Sequence, residues 1–336
     1  MSKILLLADI HAHMYREFSK PHPVYGNSRL ARIIQYLDFM RAYCTKNEIY
    51  DVVILGDLFH VRSHIVVPVF TSVFASLFEY SKRNIRIHLL QGNHDQYSRN
   101  GKVHSLQPFS SFCKVTEQPV SYDIAGYKVG MIPHTTDIDL FWSSIDEFSD
   151  CDVVFGHQSL DEAVVSTGHA LSDSVGSYKR LSSDVSYYFG HIHDHQTIRH
   201  NFMYVGSPMQ HSFSEADTRK YLGVVFNGES YTLVKNTVCP VFHVVEADEI
   251  GKHPTTDFFR VMVDEASDIA EVRKFCKKHK YDHVRIDVKK KKDIEVSRAV
   301  KSGATHEEMI EEYTKGTNKG SEFSKYGLSL LKKVAK

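Results

Sequence analysis

No run of apolar residues in this 336-residue chain approaches the roughly 20 that a membrane-spanning helix needs. Met1-Ser2-Lys3 passes directly into a strand-like segment, so a cytoplasmic location is expected. Cysteine is scarce. Cys44, Cys113, Cys151, Cys239 and Cys276 are odd in number, scattered and without a C-x-x-C pair, which argues against a disulfide framework or zinc knuckle and leaves each as a small buried hydrophobe. The one tryptophan, Trp142, lies in an amphipathic stretch with Phe141, Ile145 and Phe148, a core setting. An excess of one charge is missing too. Lys plus Arg and Asp plus Glu number 41 each, so no chain-wide basic field exists and contact with a polyanion must rest on local patches. Low-complexity tracts are absent, and 42% hydrophobic against 24% charged residues implies a packed core rather than disorder.

What the chain has in unusual number is histidine, 21 in all, and position must separate metal ligands from solvated rings. Lys3 to Ala8 is a continuous apolar run ending in Asp9-Ile10-His11, the pattern of a buried strand that delivers polar groups at its C-terminal end. The design recurs. Asp51 to Leu55 runs into Gly56-Asp57, Ile85 to Leu90 into Gly92-Asn93-His94-Asp95, Val153 to Phe155 into Gly156-His157, and Val185 to Phe189 into Gly190-His191-Ile192-His193. Between these runs, Leu30, Ile33, Ile34, Leu37 and Met40, and then Val69, Val73, Leu77 and Phe78, follow helical spacing. Alternating strands and helices predict stacked α/β layers, with the site at the strand C-termini.

The length exceeds one ordinary core. After Gly206-Ser207-Pro208 the segments shorten, and Tyr221 to Phe226 with Ser230 to Val234 around Asn227-Gly228 predict a β-hairpin. Val241 to Val245 is a further candidate strand, and a boundary is expected near Gly251 to Thr256. This gives three expected parts: 1–250, a small strand-helix-strand unit at 251–300, and 301–336. In the last, Glu307 to Lys315 and Glu322 to Lys336 form a helical hairpin with Phe323, Tyr326, Leu330, Leu331 and Val334 along one side. So little core cannot stand alone, and its apolar side must dock on the body or on a partner helix.

Asp9, His11, Asp57, Asn93, His157, His191 and His193 offer oxygen and nitrogen donors and no thiolate, a set suited to hard or borderline divalent cations such as Mn²⁺, Mg²⁺ or Fe²⁺. They suffice for two ions sharing one carboxylate, the arrangement that hydrolyses phosphoesters by activating water and stabilising the leaving oxygen.

The ordered series of five motifs resembles the signature of calcineurin-like metallophosphoesterases. That resemblance implies a layered α/β/β/α sandwich in which Asp9, His11 and His193 hold one metal, Asn93, His157 and His191 the other, and Asp57 bridges them. It further implies that His94 contacts the scissile phosphate and assists leaving-group protonation, with Asp95 orienting its imidazole. Within the class, Gly56-Asp57-Leu58-Phe59-His60, Gly190-His191-Ile192-His193, Tyr204-Val205-Gly206-Ser207-Pro208 and Ser212-Phe213-Ser214-Glu215-Ala216 resemble SbcD-type nucleases, over about Ile4 to Phe226. The resemblance implies a Mn²⁺-dependent DNA exonuclease and endonuclease, with Mg²⁺ or Fe²⁺ as alternatives. It adds a small α+β capping domain that helps select DNA and a C-terminal helical hairpin that binds the coiled coil of an SbcC-type ABC ATPase, in a homodimer within a heterotetramer. Met309-Ile310-Glu311-Glu312-Tyr313 resembles the start of that hairpin. Met14 to Asn27 departs from the family pattern, and the short chain is similar to phage-encoded members, for which the location is the host cytoplasm. A phosphatase or cyclic-nucleotide phosphodiesterase of the same superfamily is the alternative.

Other residues keep two readings. His60 and His64 either line the substrate groove or meet solvent; His13 is a supporting donor near the first motif, and His195 has no assigned part. Tyr97 and Arg99 either touch a terminal base or pack their loop, and Lys289 to Lys292 either grips DNA or forms a solvated turn.

Overall fold

The computed structural model describes residues 2–98, 101–165, 174–216, 218–289, 310 and 320–334. Two compact units divide the chain, residues 1–287 and 288–336.

In the first unit, β1 (Ile4–Leu7), β2 (Asp51–Leu55), β3 (Arg86–Leu90) and β4 (Lys114–Thr116) lie parallel. β11 (Tyr221–Phe226) pairs antiparallel with β1, and β12 (Tyr231–Lys235) with β11 as the expected hairpin, giving the order β12-β11-β1-β2-β3-β4. A second six-stranded sheet runs β5-β6-β7-β8-β10-β9, from β5 (Val120–Ile124), β6 (Tyr127–Ile132), β7 (Val153–His157), β8 (Ser186–Gly190), β9 (Gln196–Arg199) and β10 (Phe202–Tyr204).

Alternation along the strands builds the layers. Ile4 and Leu6 of β1 turn inward with Val53, Leu55 and Leu90 to meet Val129, Met131, Val153 and Phe155 of the second sheet. Leu5 and Leu7 turn outward with Val52, Ile54, Ile87 and Leu89, onto α1 (Ser28–Asn47) and α2 (Val67–Ser81). α1 starts where Asn27 accepts hydrogen bonds from the amides of Arg29 and Leu30, and stops at Glu48, whose φ of 55° is left-handed. Its buried stripe of Leu30, Ile33, Ile34, Leu37 and Met40 stabilises by about 1.5–3 kcal/mol per side chain. Across the second sheet lies α3 (Ile138–Glu147), capped by Asp137, with Phe141, Trp142 and Ile145 against Val154, Tyr187 and Phe189. The result is an α/β/β/α sandwich. All five cysteines are buried and unpaired.

A third sheet follows, β13 (Phe242–Glu246), β14 (Phe258–Val263) and β15 (Val284–Val288), backed by α4 (Ile269–His279). β13 pairs in parallel with β14, so this sheet begins ahead of residue 251. In the second unit, α5 (Gly320–Val334) is helical over the second expected segment. The first, Glu307 to Lys315, lies outside the described residues except at Ile310, as do Lys290 to Lys292 and Arg99. Among the described residues no helix is long and apolar enough to cross a membrane.

Candidate metal centre

The seven expected donors come from the C-terminal ends of five parallel strands, β1, β2, β3, β7 and β8, along the seam where the two large sheets meet. Four adopt left-handed backbone: Asp9 (φ 50°), His11 (47°), Asp57 (54°) and His191 (85°). Each such conformation costs a non-glycine residue of order 1–3 kcal/mol and persists only where neighbours impose it. At Asp57 and His191 the carboxylates of Asp95 and Asp9 accept from the amides, and at Asp9 and His11 the main chain does so. Asp9 N–H donates to Gly56 O at 3.2 Å, His11 N–H to Asp57 O at 3.0 Å and Ala12 N–H to Leu58 O at 2.8 Å, carrying the β1–β2 pairing past the strand ends. Two glycines let the loops close. A Cβ on Gly56 would stand 2.2 Å from His157 Nδ1, and one on Gly92 would stand 2.2 Å from Asp57 Oδ1.

Asp9, His11 and His193 place one donor atom each within 4.8 Å of one another, and Asp57, His157 and His191 do the same. Asp57 stands between the groups, with Oδ2 3.6 Å from His11 Nε2 and 3.4 Å from His157 Nε2. Asn93 Oδ1 lies 3.0 Å from both His157 Nε2 and His191 Nδ1. All seven are thus drawn together, in two groups with a shared carboxylate.

The ring tautomers test whether this set fits cations. His157 Nδ1–H donates to Leu55 O at 2.6 Å and His193 Nδ1–H to Glu215 Oε1 at 3.1 Å, so in the neutral ring each Nε2 presents a lone pair. The His157 lone pair faces the Asn93 oxygen, and that of His193 faces His11 Nε2 at 2.9 Å. Acceptor against acceptor, as at His157 and Asn93, is repulsive unless positive charge lies between, whereas the His11–His193 contact is met either by a cation or by a His11 proton on Nε2, since His11 Nδ1 has no partner of its own. Around Asn93 a turned amide also removes the conflict, donating to His157, His191 and Asp57 while its oxygen accepts from Arg62 at 2.7 Å. A cation does so at both groups, and hard oxygen with imidazole donors fits it.

Electrostatics agree. Burial, with Asp57 adding to it, pushes the Asp9 carboxyl up to about 6 against the pull of His157 and His193. Burial also opposes ionisation of Asp57, but His157 and His11 outweigh it and hold that group well below the usual carboxylate range. His157, disfavoured as a cation by burial, is nevertheless raised to about 9 by Asp57. The pocket demands positive charge, which ring protons supply when metal does not.

One expected role is corrected. Asp95 does not orient the His94 ring: its buried carboxylate accepts from the main-chain amides of Asp57 (2.9 Å), Gly92 (3.0 Å) and Phe59 (3.3 Å), stitching the loops after β2 and β3 together. Three fixed N–H groups out-compete one mobile imidazole. Burial and then Asp57 push its carboxyl up to about 7. The ring of His94 is instead held by the His60 carbonyl, 2.6 Å from Nδ1, which leaves Nε2 to carry or release a proton. The His94 amide donates to Asp57 Oδ1 at 2.7 Å.

Several contributors were not assigned from sequence. Glu215, part of the Ser212-to-Ala216 motif, receives His193 Nδ1–H and pairs with buried Lys220 at 2.9 Å; Lys220 also meets Asp194 at 3.0 Å. His134 packs its ring 5.8 Å from that of His191, held neutral by burial at about 3. His60 stacks beside His94, its pKa lowered by burial to about 4, while His64 is exposed. His13 is half-buried against Tyr15. His195 bonds Val205 O and packs on Tyr221, a structural part, and Tyr97 is exposed.

The family model described as calcineurin-like phosphoesterase matches residues 2–195. No curated protein matches the chain. Among solved structures, a dimetal phosphatase from Danio rerio is 11% identical with a TM-score of 0.39, covering 70% of this chain and 99% of that one. Nuclease MPE from Pseudomonas putida is 13% identical with a TM-score of 0.31, covering 69% and 87%. A protein of unknown function from Aquifex aeolicus is 10% identical with a TM-score of 0.26, covering 47% and 81%.

Proposed function

The chain belongs to the calcineurin-like phosphoesterase family and so hydrolyses phosphoester bonds, and within that family we propose that it is an SbcD-type nuclease acting on DNA ends. The observation that carries the reading is the convergence of seven oxygen and nitrogen donors into two groups that share Asp57. Asp9, His11 and His193 with Asp57 are the residues to hold one divalent cation, and Asn93, His157 and His191 with Asp57 the other, Mn²⁺ being the preferred ion. Two such ions supply water activation and charge neutralisation on the phosphoryl group. Leu55 O and Glu215 fix the tautomers of His157 and His193, so their Nε2 lone pairs stay aimed inward. His94, held by the His60 carbonyl, delivers the proton that the departing sugar oxygen requires.

DNA as substrate rests on the resemblance of the motifs from Gly56 to His60 and from Tyr204 to Pro208, the first of which contains Asp57 and the second of which donates Ser207 N–H to His193 O at 2.9 Å. An SbcC-type ATPase as partner is consistent with α5, which exposes Tyr326 and Leu330 one helical turn apart. On this reading the third sheet belongs to the DNA-selecting cap, and a homodimer within a heterotetramer completes the arrangement.

The test is nucleotide release from end-labelled duplex DNA with Mn²⁺ or Mg²⁺, comparing the chain with Asp57→Ala. Mn²⁺-dependent release that disappears in the variant is expected. Hydrolysis of small aryl phosphates with none of DNA, even when an SbcC-type ATPase is added, would overturn the DNA reading in favour of a phosphatase.

A further inference from the structure

Arg29, in the first turn of α1, is buried, and among the described residues no carboxylate pairs with it directly, Glu17 acting on it only from further off. A buried guanidinium normally requires compensation. Its surroundings supply that in another form. The guanidinium carbon sits 4.4 Å from the ring centroid of Tyr15, 5.1 Å from Phe242 and 5.2 Å from Phe258, and an N–H donates to His211 O at 3.2 Å. Phe242 belongs to β13 and Phe258 to β14. Tyr15 and His211 lead the other way. The Tyr15 hydroxyl donates to His11 O at 3.0 Å and touches His211 Nδ1 at 3.1 Å, and His211 Nε2 reaches Asp9 O at 3.4 Å.

The segment around this contact is anchored on both sides. Phe18 stacks on Phe258 at 5.3 Å with ring planes 8° apart, and Lys20 pairs with Asp282 at 2.8 Å. This is the stretch, Met14 to Asn27, whose sequence departs from the family pattern. One buried cation therefore joins the third sheet to the two residues that carry the main chain of Asp9 and His11, both of them in left-handed conformation.

We propose that Arg29 is a positioning residue which couples the third sheet to the first metal group, so that the affinity of Asp9, His11 and His193 for a divalent cation depends on a side chain that touches none of the three. The proposal rests on the two-metal reading. Its consequence is selective: removing the guanidinium releases the Tyr15 ring and the His211 main chain, whose side chains hold the His11 and Asp9 carbonyls respectively, while Asn93, His157 and His191 keep their contacts.

The experiment is Mn²⁺ titration of the purified full chain by calorimetry, with electron paramagnetic resonance of the bound ion. Two bound Mn²⁺ are expected in the unaltered chain; fewer would remove the two-metal reading and this proposal with it. In Arg29→Met, one of the two should weaken by on the order of 10-fold or more, as for other residues that support ligands indirectly, and Arg29→Lys should recover part of the loss. Backgrounds identify the group. With Asn93→Ala, Arg29→Met should weaken the remaining ion; with Asp9→Asn it should leave the remaining ion unchanged. If Arg29→Met does not fold, Tyr15→Phe, which deletes one hydroxyl, carries the same expectation. Equal weakening of both ions, or two unchanged affinities, overturns the proposal.

Discussion

Replacing Glu215 by Gln separates support of the metal group from support of the fold. Glu215 is 5% exposed, and its two oxygens have different tasks, one receiving His193 Nδ1–H at 3.1 Å and the other forming an ion pair with Lys220 Nζ at 2.9 Å. Gln preserves the volume but offers one acceptor, so its NH₂ must face either the imidazole N–H or the ammonium. Lys220 keeps Asp194 at 3.0 Å and the His193 carbonyl at 2.8 Å, so its charge is not stranded. The stability cost without metal is therefore that of one unmet buried hydrogen bond to a charged group, about 1–3 kcal/mol, rather than the 3–5 kcal/mol of a broken buried pair. Metal binding loses more in proportion. The His193 ring is no longer fixed with Nε2 free, and losing such a partner lowers affinity roughly 10- to 100-fold, about 1.4–2.7 kcal/mol. Guanidinium unfolding in EDTA reads the first quantity and Mn²⁺ titration the second. A Glu215→Gln chain that binds two Mn²⁺ within twofold of the original affinities would refute the reasoning, whatever its stability.

Gly92→Ala should abolish Mn²⁺-dependent hydrolysis and lower the melting temperature, because its Cβ would stand 2.4 Å from the Asp57 amide as well as against its carboxylate; unchanged activity would mean that the two loops do not close as described. Asp95→Asn should destabilise the metal-free chain by about 1–3 kcal/mol, since one amide oxygen can keep the Asp57 and Gly92 amides but leaves that of Phe59 without an acceptor, a loss that denaturant titration reads directly. Saturating Mn²⁺ at about 100 times its dissociation constant should stabilise the chain by about 2.7 kcal/mol per ion, a rise of several degrees in thermal melts that EDTA reverses and Asp57→Asn diminishes. At the far end of β2, burial opposes ionisation of Asp51, but hydrogen bonds from His88 (3.2 Å) and Arg86 (2.8 Å) outweigh it and hold the carboxyl below its ordinary value. Its contribution is thus full above the unfolded-state value near 4 and is lost as pH falls through the folded one; unfolding free energies of Asp51→Asn and the unaltered chain should converge as pH falls through that lowered value and differ by about 1–2 kcal/mol at pH 7.

The parts of this molecule that were legible in its sequence depend on the character of side chains. Apolar runs ending in a polar pair mark β1, β2, β3, β7 and β8, and the donors fall at their C-terminal ends because parallel strands bring those ends to one edge. Asp95 was misread for the complementary reason. Its neighbour in sequence is a catalytic candidate, but its partners are three main-chain amides, and an amide is chemically the same at every residue, so composition cannot reveal which carboxylate will gather them. Glu215 was quoted without a role since its 22-residue separation from His193 closes only when β10 and the following loop fold back. Arg29 was hidden more thoroughly. A cation in the first turn of a helix is unfavourable by the helix dipole and would pass for a solvated residue, yet rings from positions 15, 242 and 258 surround it. The same argument explains the four left-handed donors: Asp, Asn and His tolerate that backbone better than most residues, but what imposes it at Asp9 and His11 is the continued pairing with Gly56 and Asp57. Donor identity is therefore carried by residue type, whereas donor aim is carried by main-chain contacts between loops distant in sequence, and only the folded chain exposes the second.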